Sequence, residues 1–165
     1  MVTWREARTT DEAAVALLDQ YFSAREHGFP PEQGEYRRAS PDPAQFAPPR
    51  GVFLLVEGEN LSGEPADVGC GGIRRIEDGP RGGTRFELKH LWVQPHARRI
   101  GLGRALVVEL ERRARELGAA ELVLDTNDSL AEAAALYRAL GLTPIEPFND
   151  NPNATAWLGK RLTDS

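Results

Sequence analysis

The sequence predicts one mixed α/β domain around a central sheet, and three observations carry that reading. Segments 51–57, 67–76, 86–93 and 121–126 are apolar runs of strand length, bounded by glycine, proline or polar turns. Segments 12–27, 102–117 and 130–140 repeat apolar residues at helical spacing. Residues 86–126 then run strand, basic glycine-bearing turn, helix, strand, the order of a crossover between parallel neighbours.

Taken in order, Val2 to Arg8 is short and mixed and reads as an opening strand. Thr9 and Glu12 are spaced as a capping box, with Ala14, Leu17, Leu18 and Tyr21 following on one helix face. Between Gly28 and Arg50 stand Pro30, Pro31, Pro41, Pro43, Pro48 and Pro49, half of the chain's 12 prolines. Proline removes backbone donors and fixes φ, so this is a loop with one helical turn at most. Tyr36, Phe46 and Phe29 within it are candidates for a substrate mouth or for the core.

Gly51 to Glu57 suits a buried strand, and Asp67 to Ile76 a second one with bulges at its glycines. Cys70 there is a small core residue. Asp78 to Gly83 is a turn that makes a hairpin with Phe86–Val93, which Pro95 closes. Leu102, Leu106, Leu110, Ala114 and Leu117 form the next helix face, with Gly118 as its stop. Glu121 to Thr126 is a strand. Ser129 and Glu132 are spaced as a second capping box, ahead of a helix ending at Gly141. Leu142 to Glu146 and Thr155 to Leu162 read as closing strands around the turn-rich Phe148 to Asn153.

Composition sets limits. At 165 residues, 41% apolar and 27% charged, the chain has the size and balance of one globular domain with a proper core, spanning 1–165. No apolar run is long enough to span a bilayer, and the first residues do not resemble a secretion signal, so no membrane partner is expected. One cysteine excludes an intrachain disulfide and suits a reducing compartment, which gives a cytoplasmic reading. A formal charge of −5 argues against nucleic acid and is compatible with cationic amine substrates. His and Cys show no metal-ligand spacing, so no metal is expected.

The run Arg98-Arg99-Ile100-Gly101-Leu102-Gly103-Arg104 marks the site. The first turn of a helix has unpaired N–H groups and a partial positive charge, so it attracts anions. Gly101 and Gly103 let a phosphate reach the backbone, and Arg98, Arg99 and Arg104 add charge at the rim. The dinucleotide fingerprint fails because Leu106 stands where its third glycine belongs, and no Lys-Ser or Lys-Thr completes a P-loop. The pattern R-x-x-G-x-G at Arg98, Gly101 and Gly103, after a strand ending Leu-Trp-Val, resembles the acyl-CoA pyrophosphate loop of the GNAT superfamily of N-acetyltransferases. The bland alternative is an ordinary strand-to-helix turn.

The resemblance covers essentially the whole chain, strongest from Glu87 to Leu142. It implies a mostly antiparallel twisted sheet with one splayed parallel pair, flanked by helices, and acetyl-CoA as co-substrate. The pantetheine arm would lie between the splayed strands, bonded through backbone groups of Leu91, Trp92 and Val93. The pyrophosphate would sit on Arg98, Arg99, Ile100, Gly101, Leu102, Gly103 and Arg104. Tyr137, within Ala133-x-x-x-Tyr137-x-x-x-Gly141-Leu142, is similar to the family's tyrosine that protonates the departing thiolate. Its alternative role is core packing with Leu136 and Leu140.

Two positions depart from the family pattern. Leu130 stands where relatives often carry Asn, which makes Asn127 the nearest candidate for a pantetheine contact, and Arg99 replaces a frequent Gly. Glu87 lies six residues before Val93, as does the general-base glutamate of the family's histone acetyltransferases; an ion pair is its other role. Strict alternation puts Glu87, Lys89, Leu91 and Val93 on one face, and Leu88, His90 and Trp92 on the other. His90 is the second candidate base; His96 belongs to a loop or the cofactor rim. The activity implied is acetyl transfer to a primary amine of a small molecule or peptide by direct attack in a ternary complex. The alternative is a CoA-binding sensor without turnover. Closing strands often dimerise in this family, so a homodimer stays open.

Overall fold

The strands are β1 (Thr3–Glu6), β2 (Gly51–Glu59), β3 (Pro65–Ile76), β4 (Arg85–Val93), β5 (Glu121–Thr126), β6 (Thr143–Pro144) and β7 (Ala156–Arg161). The helices are α1 (Glu12–Gly28), α2 (Leu102–Glu116) and α3 (Ala131–Ala139). In the computed structural model, which describes residues 2–162, all seven strands form one sheet in the order β1-β2-β3-β4-β5-β7-β6. Only β4–β5 is parallel; every other neighbour is antiparallel.

Alternation along β2 divides the core. Val52 and Leu54 join Leu106 and Leu110 of α2 and Tyr137 of α3 in one cluster. Phe53 and Leu55 join Ala14, Leu17, Leu18 and Phe22 of α1 in another. The sheet is therefore covered by α1 on one face and by α2 and α3 on the other, which buries both faces of its central strands. Glu111–Arg115 at 2.7 Å and Glu109–Arg113 at 3.7 Å are the expected i,i+4 pairs on α2.

Neither expected capping box forms. Asp11, not Thr9, is the N-cap of α1, and its carboxylate accepts from the Arg8 N–H at 3.0 Å. Helix α3 starts after Leu130, because Asn127 captures the entering turn: its Oδ1 accepts from Ser129 N–H and its carbonyl from Leu130 N–H. That Asx turn takes the Ser129 N–H, which the Glu132 side chain of a capping box would have accepted. The proline-rich stretch holds two 3-10 turns, Pro31–Gln33 and Pro43–Phe46, rather than one helical turn. A third, Pro95–Ala97, follows β4. The strand expected from Leu142 to Glu146 shrinks to β6.

The largest departure from the sequence expectation is in β4. Cys70 pairs with Trp92 and Gly72 with Lys89, so Gly71 faces both His90 and Leu91. The extra residue is absorbed at His90, whose φ of 59° lies in the left-handed region. A non-glycine residue there costs roughly 1–2 kcal/mol, which the surrounding packing must offset. The bulge also overturns the strict alternation expected for this strand. Leu88, Leu91 and Val93 face α2, while Glu87, Lys89, His90 and Trp92 face the α1 side. Bulges were expected on the glycines of β3; there the register slips between Val56 and Glu57, where Val68 is the unpaired residue.

Candidate active site

The parallel pairing of β4 with β5 is short, joining only Arg85–Glu87 to Glu121–Val123. Beyond it β4 bulges at His90, and a bulge bends its strand. Residues Leu124–Thr126 stay paired to β7 on their other side. The two strands therefore part, and a cleft of about 670 Å³ opens between them. Leu88 to Trp92 line one wall and Leu124 to Thr126 the other. The edge of β4 has no β5 ladder partner after Glu87, so its backbone groups face the cleft side unpaired by β5.

The turn leading into α2 adjoins the cleft through Arg98, which lines it, whereas residues 101–104 do not. Gly101 is the N-cap of α2 with φ 85°, a conformation that a side chain would strain. The N–H groups of Leu102, Gly103 and Arg104 begin the helix and have no intrahelical partner. A Cβ built on Gly103 would find Leu136 Cδ2 at 3.9 Å and Val93 Cγ2 at 4.0 Å, so the glycine leaves open a space between α2, α3 and the end of β4. Arg98 lines the cleft, donates to the Val93 carbonyl at 2.7 Å and stacks over Trp92 at 4.7 Å. Arg99 turns at φ 68° with its side chain 88% exposed, and Ile100 and Arg104 are exposed too. An open cradle of helix N–H groups with arginines beside it suits the pyrophosphate of a CoA thioester. Fit is supported by the chain's own geometry.

Tyr137 lies on α3, buried at 7% exposure, and lines the cleft. Burial pushes its phenol up to about 12, with Asp125 raising it further and Arg25 opposing. It therefore holds its proton across the whole working range. Tyr21 of α1 comes from the opposite face of the sheet and lines the same cleft, so the opening passes through the sheet. Of the three aromatics left open between mouth and core, Tyr36 lines the cleft, Phe46 is core against Phe53, and Phe29 packs on Tyr36. Asn149, Asn151 and Asn153 of the turn before β7 complete the rim.

Glu87 is 1% exposed and does not line the cleft. Its Oε1 accepts from Arg74 Nε at 3.0 Å, and Lys89 Nζ stands 3.6 Å from Oε2. Oε2 has no hydrogen-bond partner. Arg74 and Lys89 do line the cleft, so Glu87 is linked to it through them. His90 lines the cleft, packed among the rings of Tyr21, Phe22 and Phe46. Burial and the charges of Lys89 and Arg74 lower it to about 3. An imidazole that resists protonation so strongly is a weak acceptor for an ammonium proton.

Asn127 is fully buried, and its amide donates to Gln33 at 2.7 Å and to the Asn153 carbonyl at 3.1 Å. Both amide hydrogens are thus committed to tying three loops together, away from the cleft lining. His96 bonds the Glu59 carbonyl at 2.9 Å, outside the cleft lining. Cys70 is buried, its thiol pushed well above the usual range by desolvation. Among the described residues no cluster of His, Cys, Asp or Glu could hold a metal ion, and no helix is long and apolar enough to cross a membrane.

Sequence reasoning missed Tyr21, Arg25 and Arg74. Tyr21 had a signal, an aromatic hydroxyl on an otherwise apolar helix face, but that signal is common to packed tyrosines.

Comparison with known proteins agrees with this geometry. Residues 12–142 match the model of the acetyltransferase (GNAT) family. An uncharacterized N-acetyltransferase of Schizosaccharomyces pombe is 34% identical over 109 residues, 66% of this chain and 61% of that protein. The chain thus spans about three fifths of that relative's length. A Klebsiella pneumoniae structure assigned as an acyl-CoA N-acyltransferase superposes with a TM-score of 0.73, at 26% identity, covering 99% of each chain. A Salmonella typhimurium structure assigned as an acetyltransferase, solved with acetyl-CoA, has a TM-score of 0.68 at 18% identity, covering 100% of this chain and 96% of that one. With its splayed parallel pair, glycine-lined helix N-terminus and buried tyrosine, the chain belongs to the GNAT acetyltransferase family.

Proposed function

We propose that the protein is an N-acetyltransferase that moves an acetyl group from acetyl-CoA to a primary amine by direct attack in a ternary complex. The observation that carries this reading is the cleft through the sheet. It holds an unpaired strand edge along β4, a protonated phenol on α3 and Arg98 of the turn that leads into the anion cradle at α2. Acetyl-CoA would supply an activated thioester and a thiolate leaving group. Backbone amides of Leu91, Trp92 and Val93 orient the pantetheine arm and the thioester carbonyl, where N–H donors favour developing negative charge. The turn from Arg98 to Arg104 holds the pyrophosphate. Holding both reactants in one opening gains from proximity.

Tyr137 gives its proton to the departing sulfur. Glu87, which does not line the cleft, takes up the amine's proton through a bridging water, because its cationic partners Arg74 and Lys89 cannot accept one. Asn127 shapes the cleft by anchoring its loops rather than by touching the cofactor. A cytoplasmic location belongs to this reading as well, supported by the single buried cysteine. The test is continuous thiol detection with acetyl-CoA and a panel of amines. Amine-dependent thiol release is expected; CoA binding with no release for any amine would favour a sensor instead.

Glu87→Gln separates its two roles. As a proton acceptor, its loss gives a defect that is largest at low pH, where few amines are neutral, and that shrinks as pH rises. A pH-independent loss would instead make Glu87 a positioning residue for Arg74, and the base role would be withdrawn.

A further inference from the structure

The chain carries a formal charge of −5, yet the cleft is lined by cations. Besides Arg98 these are Arg25, Arg37, Arg74 and Lys89, against the single lining carboxylate of Asp125. From this reversal of sign we infer that the acceptor is a small amine carrying its own carboxylate, of the amino-acid class, and that Arg25 receives the carboxylate. The inference deepens the acetyl-transfer reading and rests on it.

Most of these charges are already engaged. Glu87 pairs with Arg74 and Lys89 from beneath, and Asn149 donates to Asp125 at 2.7 Å. Arg37 is exposed to water. Arg25, partly buried on the last turns of α1, has no ion pair and no hydrogen bond among the described residues. The Tyr36 ring lies 5.3 Å from its guanidinium. Nearby Arg38, by contrast, finds both Asp19 at 3.0 Å and Glu26 at 2.7 Å. A guanidinium drawn partly out of water without a counter-ion is unfavourable, and its planar fork of donors matches a carboxylate.

Position supports the same assignment. The Arg25 charge favours ionisation of Tyr21, Tyr36 and Tyr137 alike, so the guanidinium lies within electrostatic reach of the reacting end of the cleft. Tyr21, Phe22 and Tyr36 give the acceptor's body an apolar wall. A volume of about 670 Å³ that also admits a pantetheine arm leaves room for a small molecule. The N-terminal amine of a peptide has no α-carboxylate beside it, so this chemistry favours a free amino acid.

Matched acceptors test the inference: phenylalanine against phenylalaninamide and phenethylamine, and leucine against leucinamide, each by kcat/KM with thiol detection. The acids are expected to be favoured at least about tenfold, as a hydrogen-bonded charge pair implies. Arg25→Gln should raise KM for the acids by about ten- to a hundredfold and bring the acid-to-amide ratio toward one. Arg25→Lys should keep part of that preference, and acetyl-CoA affinity measured by calorimetry checks that both variants are folded. Amides used as well as acids by the unaltered protein, or a ratio unchanged in Arg25→Gln, would overturn the assignment. Transfer to amides alone overturns it while acetyl transfer stands; no transfer to any amine overturns both.

Discussion

Replacing Gly103 by valine is expected to remove measurable CoA binding from a protein that still folds. The new Cβ would meet Leu136 and Val93 at ordinary contact distances of 3.9 and 4.0 Å, so the core has no reason to open. The branched methyls would instead fill the space in front of the α2 amides. A phosphate held off the backbone loses hydrogen bonds to a charged group, each worth about 1.5–3 kcal/mol. Losing two gives about 3–6 kcal/mol, at least about a hundredfold in Kd. Calorimetry on a variant with native circular dichroism measures it. Unchanged affinity would remove the phosphate cradle from α2.

Tyr137→Phe is expected to lower kcat by about 10²–10⁴-fold while leaving acetyl-CoA affinity nearly unchanged. Only the hydroxyl is lost, and the ring keeps its place against the α2 core. Because burial holds the phenol up to about 12, the unaltered enzyme has it protonated at every ordinary pH. No activity limb from its ionisation should therefore appear below that value. A loss under about tenfold would reduce Tyr137 to packing.

What the sequence made legible follows from how local each signal is. The cradle could be read because strand, glycine spacing and helix N-terminus occupy consecutive residues, 86–106. The β3–β4 hairpin and the parallel β4–β5 pair were legible from turn and crossover length, and the short reach of the parallel pair agrees with the splay the family resemblance implied. The β4 bulge was not legible, because a histidine holds the left-handed position that glycine usually marks. Its consequence is large: it brings His90 to the side of Glu87 and Lys89 and turns Leu91 and Val93 to the other. The link from Arg74 to Glu87 crosses strands, and Arg25 reaches the cleft only because α1 packs across β3 and β4. Net charge was uninformative about the cleft for the same reason. A sum over the surface says little about which few charges a fold gathers into one opening.

The capping boxes failed in a related way. Ser129 and Glu132 have the right spacing, but Asn127 is already hydrogen-bonded to Gln33 and Asn153 and takes the Ser129 N–H for its own turn. A tertiary anchor outweighed a local preference.

The central claim is that CoA lies between β4 and β5 with its pyrophosphate on α2. Backbone amide NMR during titration with CoA tests it most directly, because every proposed donor except the phenol is an N–H. The account predicts saturable shifts concentrated at Leu91–Val93, at Gly101–Arg104 and along α3 near Tyr137. Shifts that saturate elsewhere, such as the groove between Arg81, Glu121 and Lys160, with those amides unmoved, would contradict it.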